Sequence, residues 1–304
     1  MKKNSYEKID SSQKALDYAI RDEEMKNNMY GCGYMVRNTT YWNYMSNESW
    51  NLFLNSMSSI HKTQYDNADG GELTEKNSRY GMMPPKMASF GSSSRLIYNL
   101  SKSIPNFQFE KQLPTHVGHK ANLDGYLCKA GKNIYVEAKC REIYSSHTDI
   151  EVGNVYEEVY NFIHEVNNDF SFEKNVSKEK NHFKCTFSYQ GRVIKHFDIK
   201  QLICHFLAIT ADVLKTGQKA NIQFLYLIFN PEYDTDFTFD ANCKYKRMIS
   251  ECYSETIKEI DNLGNLKWLF DVILSFQNGR KKTDYPDFTF KVVDQKTYQE
   301  LLKS

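Results

Sequence analysis

The chain lacks both long hydrophobic runs and a strong charge of either sign, and each absence excludes a class of protein. Its longest apolar stretch, residues 224–229, is far shorter than the roughly 20 residues that a membrane-spanning helix requires. The N-terminal residues show no apolar segment of the kind found in export signals, so we expect no membrane contact. The formal net charge is only +1, so binding to nucleic acid would require a local basic patch.

Patterns that mark metal clusters and nucleotide loops are also missing. The seven cysteines are scattered and never spaced as Cys-x-x-Cys, which argues against structural zinc and suits reduced thiols in a cytoplasm. Neither glycine cluster, residues 31–33 or 69–71, matches a nucleotide phosphate-binding loop. With 40% hydrophobic residues, no internal repeat and no Pro/Gly-rich linker, the 304 residues are expected to bury one large core.

The most informative pattern lies in two extended runs, residues 121–128 and 134–140, joined by a polar turn. Side chains alternate between the two faces of a strand, so Glu137 and Lys139 share one face while the apolar positions between them face the core. Folding the hairpin back brings Asp124 beside that face. Two carboxylates and an ammonium at one point are costly to hold together, and a bound divalent metal would offset that cost.

The surrounding pattern predicts an α/β fold with a mixed central sheet flanked by helices. A helix after Ser92, a strand at 107–113, the hairpin, a helix at 199–214 and a buried strand at 222–229 follow one another. Residues 11–60 are expected to be mostly helical, and 63–85 to form a loop. We divide the chain into an N-terminal elaboration, a core with an insertion, and C-terminal helices with a strand: 1–88, 89–232 with the insertion 145–198, and 233–304.

These residues resemble the PD-(D/E)XK nuclease superfamily, the restriction endonuclease-like folds with an αβββαβ core. Asp124 and Glu137-Ala138-Lys139 match the motif, with Leu123 at the position of its proline. Gln201 and His205 lie one helical turn apart, similar to the Gln-x-x-x-Tyr helix of RecB-like members, with histidine replacing tyrosine. Over roughly residues 65–230 the chain is similar to a group of uncharacterised bacterial restriction endonucleases, through these segments: Gly70–Leu73, Pro84–Met87, Ser92–Arg95, Ala121–Gly125, Glu137–Lys139 and Lys200–Gln201.

The resemblance implies metal-dependent hydrolysis of DNA phosphodiester bonds, plausibly in restriction of foreign DNA. Asp124, Glu137 and the carbonyl of Ala138 would bind Mg²⁺, with Mn²⁺ as a substitute. Lys139 would orient or help deprotonate the attacking water, and Gln201 would position that water or the phosphate.

Two further carboxylates belong to this expectation. Glu110, on the polar face of the preceding strand, would touch the site or a second metal. Glu72 would be the acidic residue that many members contribute from before the sheet.

Double-stranded DNA is the expected partner, and cleavage of both strands would favour a homodimer. The expected DNA contacts are Lys244, Tyr245, Lys246, Arg247, His119 and Lys120. His205 is expected to be a satisfied histidine between helix and sheet. Three alternatives stay open: a structure-specific repair nuclease, a non-catalytic DNA-binding module that keeps the fold, and an ordinary ion pair on a solvated sheet face.

Overall fold

The computed structural model describes residues 32–37, 39–68, 71–78, 81–89, 91–140, 146–177, 181–230, 244–279 and 286–303. The strands are β1 Cys32–Val36, β2 Thr39–Met45, β3 Lys76–Ser78, β4 Gly81–Met83, β5 Gln108–Pro114, β6 Lys120–Lys129, β7 Lys132–Lys139, β8 Ile150–Gly153, β9 Phe170–Val176, β10 His182–Tyr189, β11 Arg192–Val193, β12 Asn221–Ile228 and β13 Phe288–Val293. The helices are α1 Asn47–Ser56, α2 Ser59–Asp66, α3 Ser93–Ser101, α4 Glu157–Val166, α5 Ile199–Thr216, α6 Lys244–Leu263, α7 Lys267–Gln277 and α8 Gln295–Lys303.

A five-stranded mixed sheet, in the order β13-β12-β7-β6-β5, forms the centre of the protein. β12 runs parallel to both β7 and β13, whereas β6 is antiparallel to β5 and β7. The prediction of a mixed α/β fold with such a sheet is confirmed. The apolar sequence of β12 has the expected cause, because Phe224 and Leu225 point to opposite faces and both are fully buried.

The β6–β7 hairpin turns at the point that the sequence indicates. Lys129 pairs with Lys132, which leaves Ala130 and Gly131 as a two-residue turn with φ angles of 49° and 72°. Two positive φ angles are required by the tight turns whose twist matches that of the flanking strands. This turn fixes the register and therefore fixes which side chains of β6 and β7 lie next to each other.

Helix α5 begins and ends at clear capping residues and covers β5 and β6. The Asp198 side chain accepts a hydrogen bond from the Gln201 N–H, which holds the first turn. Gly217 ends the helix with a left-handed φ of 62°. The apolar face of the helix includes Phe206, whose ring meets the edge of Phe270 on α7 and of Phe288 on β13. Gln201 is therefore held at the start of a helix that is firmly packed in the core.

The predicted insertion forms a second, antiparallel sheet with α4 packed on it. β10 is its central strand and pairs with β8, β9 and β11. This unit packs on α7, where Trp268 stacks on Tyr189 with ring centroids 5.8 Å apart and Phe276 lies 5.3 Å from Phe162.

The N-terminal prediction is wrong for the residues that the structure describes before α1. Residues 32–45 were expected to be helical but form the antiparallel pair β1–β2. Threonine, tyrosine and tryptophan occur together in β2, and such β-branched and aromatic residues favour strands. The segment expected as a loop also contains the end of α2 and the short pair β3–β4. The part of the segment 11–60 that precedes residue 32 lies outside the described residues. No helix within the described residues is long and apolar enough to cross a membrane.

Candidate active site

Three carboxylates form a row across three neighbouring strands. Phe109 pairs with Gly125, and Gly125 pairs with Val136. One step further along each strand, the same register places Glu110, Asp124 and Glu137 opposite one another on one face. Like charges directly opposite each other destabilise a sheet. The row therefore indicates that this face is built to hold a positive group.

The strands separate at this row, and side chains replace part of the backbone pairing. The regular pairing of β6 with β7 reaches Gly125 and Val136, and beyond it the Ala138 N–H donates to Asp124 Oδ2 at 2.6 Å. Glu110 has a left-handed φ of 52°, and its position is skipped in the pairing of β5 with β6. A non-glycine residue in this conformation is strained by about 1–3 kcal/mol, and such strain concentrates at functional sites.

Lys139, Glu137, Gln201 and His205 form a buried polar cluster between β7 and α5. Lys139 Nζ donates to Glu137 Oε1 at 2.8 Å and also to Gln201 Oε1. His205 Nε2 lies 3.0 Å from Glu137 Oε2. At that distance the two side chains interact directly, so Glu137 Oε2 faces a ring nitrogen of His205 as its partner. Glu137 and Lys139 are only 3% and 5% exposed, so an ion pair on a solvated sheet face does not describe this site.

The three carboxyl groups of the row differ in pKa. Burial, and then the nearby Glu137 and Glu110, raise the pKa of Asp124 well above its usual range. Burial and the neighbouring Glu72 raise the pKa of Glu110 to about 8. Burial by itself would raise the pKa of Glu137 as well, but Lys139 and His205 outweigh it and lower the pKa to about 2. Asp124 and Glu110 therefore favour the protonated form in this structure, whereas Glu137 is ionised, and a bound cation would compete with the two protons.

The row opens into a cavity of about 410 Å³. Its lining residues are Tyr44, Glu72, Lys86, Ser89, Gly91, Ser92, Ser93, Ser94, Glu110, Asn122, Asp124, Glu137, Lys139 and Gln201. Lys86 Nζ donates to Glu72 Oε1 at 2.7 Å, and Ser94 Oγ donates to Glu110 Oε1 at 3.3 Å. All six residues expected to be catalytic thus line one cavity.

The side chains of this cavity suit a hard cation, although the described residues show no preformed cluster of three His, Cys, Asp or Glu ligands. Glu72 Oε2 is a buried oxygen without a hydrogen-bond partner. Burial, followed by the neighbouring Glu137 and Glu110, raises the pKa of Asp124, so its ionised form would be stabilised by a bound cation. Carboxylate and carbonyl oxygens are the ligands that Mg²⁺ prefers. Asp124, Glu137 and the Ala138 carbonyl therefore fit such an ion.

The residues expected to contact DNA are in more varied positions. His119 is exposed and stacks on Tyr156, with ring centroids 6.2 Å apart. Lys120 is exposed, and its ammonium donates to Gln112 Oε1 at 3.2 Å. Residues 244–247 belong to α6, but their side chains lie outside the described part of the chain.

Sequence reasoning missed two features of this site. His205 was expected to be satisfied at the helix–sheet interface, and the feature that the sequence did not give is its partner, because Nε2 lies 3.0 Å from Glu137 Oε2. Its position one helical turn after Gln201 was the available signal. The second feature is Ser89, which lines the cavity and whose buried Oγ atom has no hydrogen-bond partner. No sequence pattern distinguishes this serine from the others. Comparisons of the chain with family models, curated proteins and solved structures give no match, so the interpretation depends on the geometry itself.

Proposed function

We propose that the protein is a Mg²⁺-dependent endonuclease that hydrolyses phosphodiester bonds of double-stranded DNA in the restriction of foreign DNA. The observation that carries the proposal is the row Glu110, Asp124 and Glu137, with the buried Lys139 ammonium beside it, open to a cavity. An ordinary structural ion pair needs one carboxylate for one lysine. Three carboxylates in register suit a site for a divalent cation.

The order of elements supports the same proposal. With the insertion between β7 and α5 left aside, helix α3, strands β5, β6 and β7, helix α5 and strand β12 have the order α-β-β-β-α-β. This is the core order of the PD-(D/E)XK superfamily, and the motif residues lie on the second and third strands, as that resemblance requires. We therefore assign the chain a restriction endonuclease-like core as part of the proposal.

Each residue has a defined role in the proposed reaction. Asp124, Glu137 and the Ala138 carbonyl hold the cation, which when bound polarises the phosphate and lowers the pKa of water. Lys139 orients the attacking water and offsets the negative charge that develops on the phosphate. Gln201 holds the Lys139 ammonium in place through its side-chain oxygen.

Two substitutions test the proposal. Asp124→Asn removes a cation ligand with little change of shape, and Lys139→Met removes the ammonium. Each should lower Mg²⁺-dependent cleavage of plasmid and phage DNA by about 10²-fold or more, because positioned charges of this kind contribute about that much. Cleavage is measured on gels with methylated and unmethylated DNA, with Mg²⁺, Mn²⁺ or chelator.

Matched controls come from exposed residues of the same types. Asp66→Asn at the end of α2 and Lys132→Met on β7 change exposed side chains away from the cavity and should leave cleavage unchanged. If the folded wild-type protein cleaves no DNA with either metal but still binds it, a non-catalytic DNA-binding module replaces this proposal. Preference for flaps or branches would instead favour a repair nuclease.

A further inference from the structure

The wall of the cavity formed by Ser89 and residues 91–94 carries hydroxyl groups at the start of helix α3. The Ser92 side chain caps the helix by accepting from the Arg95 N–H at 3.2 Å. Ser93 and Ser94 follow in the first turn, which contains no acidic residue. The first turn of a helix presents backbone N–H groups and a partial positive charge of about half an elementary charge, so this end of α3 favours an anion.

Ser89 supplies an independent sign that this wall is built for a ligand. Its side chain is only 2% exposed, its Oγ atom has no hydrogen-bond partner, and the residue lines the same cavity. A buried hydroxyl without a partner costs about 1–3 kcal/mol. The backbone fixes its position, because the Ser89 N–H donates to the Lys86 carbonyl and the Ser92 N–H donates to the Ser89 carbonyl.

The charges around this wall determine when an anion can bind there. Lys86 lines the same cavity and is paired with Glu72, while Ser94 donates to Glu110. These two carboxylates oppose a bound anion. A cation on the carboxylate row would offset that repulsion, so binding of an anion at the serine wall should depend on the cation.

The geometry points to a phosphate-binding subsite formed by Ser89, Ser93 and the first turn of α3, which holds a backbone phosphate of the nucleic acid next to the phosphate that is hydrolysed. This inference rests on the proposed function and names a substrate contact that the carboxylate row does not provide. Phosphate contacts position a protein on DNA without reading its sequence. The subsite would therefore set the register of the strand in the cavity.

Ser93→Asp tests the subsite without weakening the helix. An acidic residue in the first turn stabilises a helix by about 0.3–1 kcal/mol, yet it would repel a phosphate. Helix α2 offers the matched control: Ser58 caps it as Ser92 caps α3, and Ser59 is its exposed first residue. Ser59→Asp therefore makes the same change at the same helical position away from the cavity.

Binding of a labelled DNA duplex is measured by fluorescence anisotropy with Ca²⁺ in place of Mg²⁺, over a series of salt concentrations. Ser93→Asp should weaken binding about 10-fold or more, as the loss of a hydrogen bond to a charged group of roughly 1.5–3 kcal/mol implies. Affinity for DNA decreases with salt, and the steepness of log affinity against log salt concentration should be smaller by about 1 for Ser93→Asp, as expected when one phosphate fewer is bound. Ser59→Asp should change neither quantity.

Ser89→Ala provides a second measurement that does not alter the charge. It should weaken duplex binding several-fold while leaving the free energy of unfolding equal or higher, because a buried hydroxyl without a partner is removed. Equal affinities for the Ser93→Asp and Ser59→Asp variants, or no duplex binding by the wild type with Ca²⁺, would overturn the subsite. Weaker duplex binding by Ser93→Asp than by Ser59→Asp, together with no cleavage by the wild type under any metal, would keep the subsite and reject the proposed function.

Discussion

Gly125, next to Asp124, is predicted to be intolerant of even a single added methyl group. A Cβ atom at this position would lie 2.3 Å from Phe107 Cζ and 2.8 Å from Phe107 Cε1. Ordinary carbon contacts are about 3.5–4.0 Å, so the ring would have to move by more than about 1 Å. Phe107 cannot move outward freely, because it is buried and packs 4.9 Å from Phe109.

The expected cost of Gly125→Ala follows from this overlap. Overpacking of a tight interior costs about 1–3 kcal/mol. For a chain of 304 residues, that corresponds to a fall in Tm of about 1.5–5 °C. Urea unfolding followed by circular dichroism measures the change in the free energy of unfolding directly.

Two comparisons isolate the Phe107 overlap as the cause. A Cβ at Gly153 on β8 would meet Val155 Cγ2 at 3.7 Å, an ordinary contact, so Gly153→Ala should change stability by less than about 0.5 kcal/mol. In the Phe107→Leu background, Gly125→Ala should lower the free energy of unfolding by less than it does in the wild-type protein, because the overlapping ring atoms are gone. Equal stability of the Gly125→Ala and wild-type proteins would show that the ring does not cover this strand as described.

Three further predictions concern groups around the site. The pKa of Glu110 is about 8 in the folded protein, above its ordinary value of 4.5. The free energy of unfolding of the metal-free protein should therefore fall as pH rises from about 5 to 8. Urea unfolding should show a smaller fall for Glu110→Gln. Glu259 accepts hydrogen bonds from the N–H groups of residues 195–197 at 3.0, 2.7 and 3.0 Å. Glu259→Ala should therefore lower the free energy of unfolding in urea by about 2–4 kcal/mol, and Glu259→Gln should lower it less. An unchanged free energy of unfolding for Glu259→Ala would contradict a stabilising role of these three hydrogen bonds. His205→Gln should lower Mg²⁺-dependent kcat/KM about 10- to 100-fold and raise the Mg²⁺ concentration needed for half-maximal cleavage. The reason is that His205 orients Glu137, a proposed metal ligand. An unchanged Mg²⁺ dependence would show that His205 only packs between helix and sheet.

The parts of the site that could be predicted are those that a local period encodes. Alternation along β7 placed Glu137 and Lys139 on one face, and the apolar run at residues 222–229 indicated the buried strand β12. The hairpin turn then brought Asp124 to the same face. Each of these inferences needs only neighbouring residues and the geometry of a strand.

Contacts between distant elements could not be derived in this way. The approach of His205 to Glu137 depends on how α5 is rotated against the sheet, and no periodicity fixes that angle. The left-handed conformation of Glu110 has no signal in the neighbouring sequence. The β1–β2 pair was missed because the helical pattern of α1 was extended backwards over a segment whose threonine and aromatic content favours a strand.

Lys139 and Gln201 are in contact although 62 residues separate them along the chain. The segment between them leaves the core after Lys139 and returns just before α5, and separate hydrogen bonds hold the chain at these two points. The Phe229 N–H donates to the Lys139 carbonyl at 2.8 Å, and Glu259 fixes residues 195–197 just before the helix that carries Gln201. A module of another length or sequence could therefore be exchanged at this position while the lysine and glutamine stayed together. Under the proposed function, such an architecture would let target preference diversify among descendants without rebuilding the proposed active site.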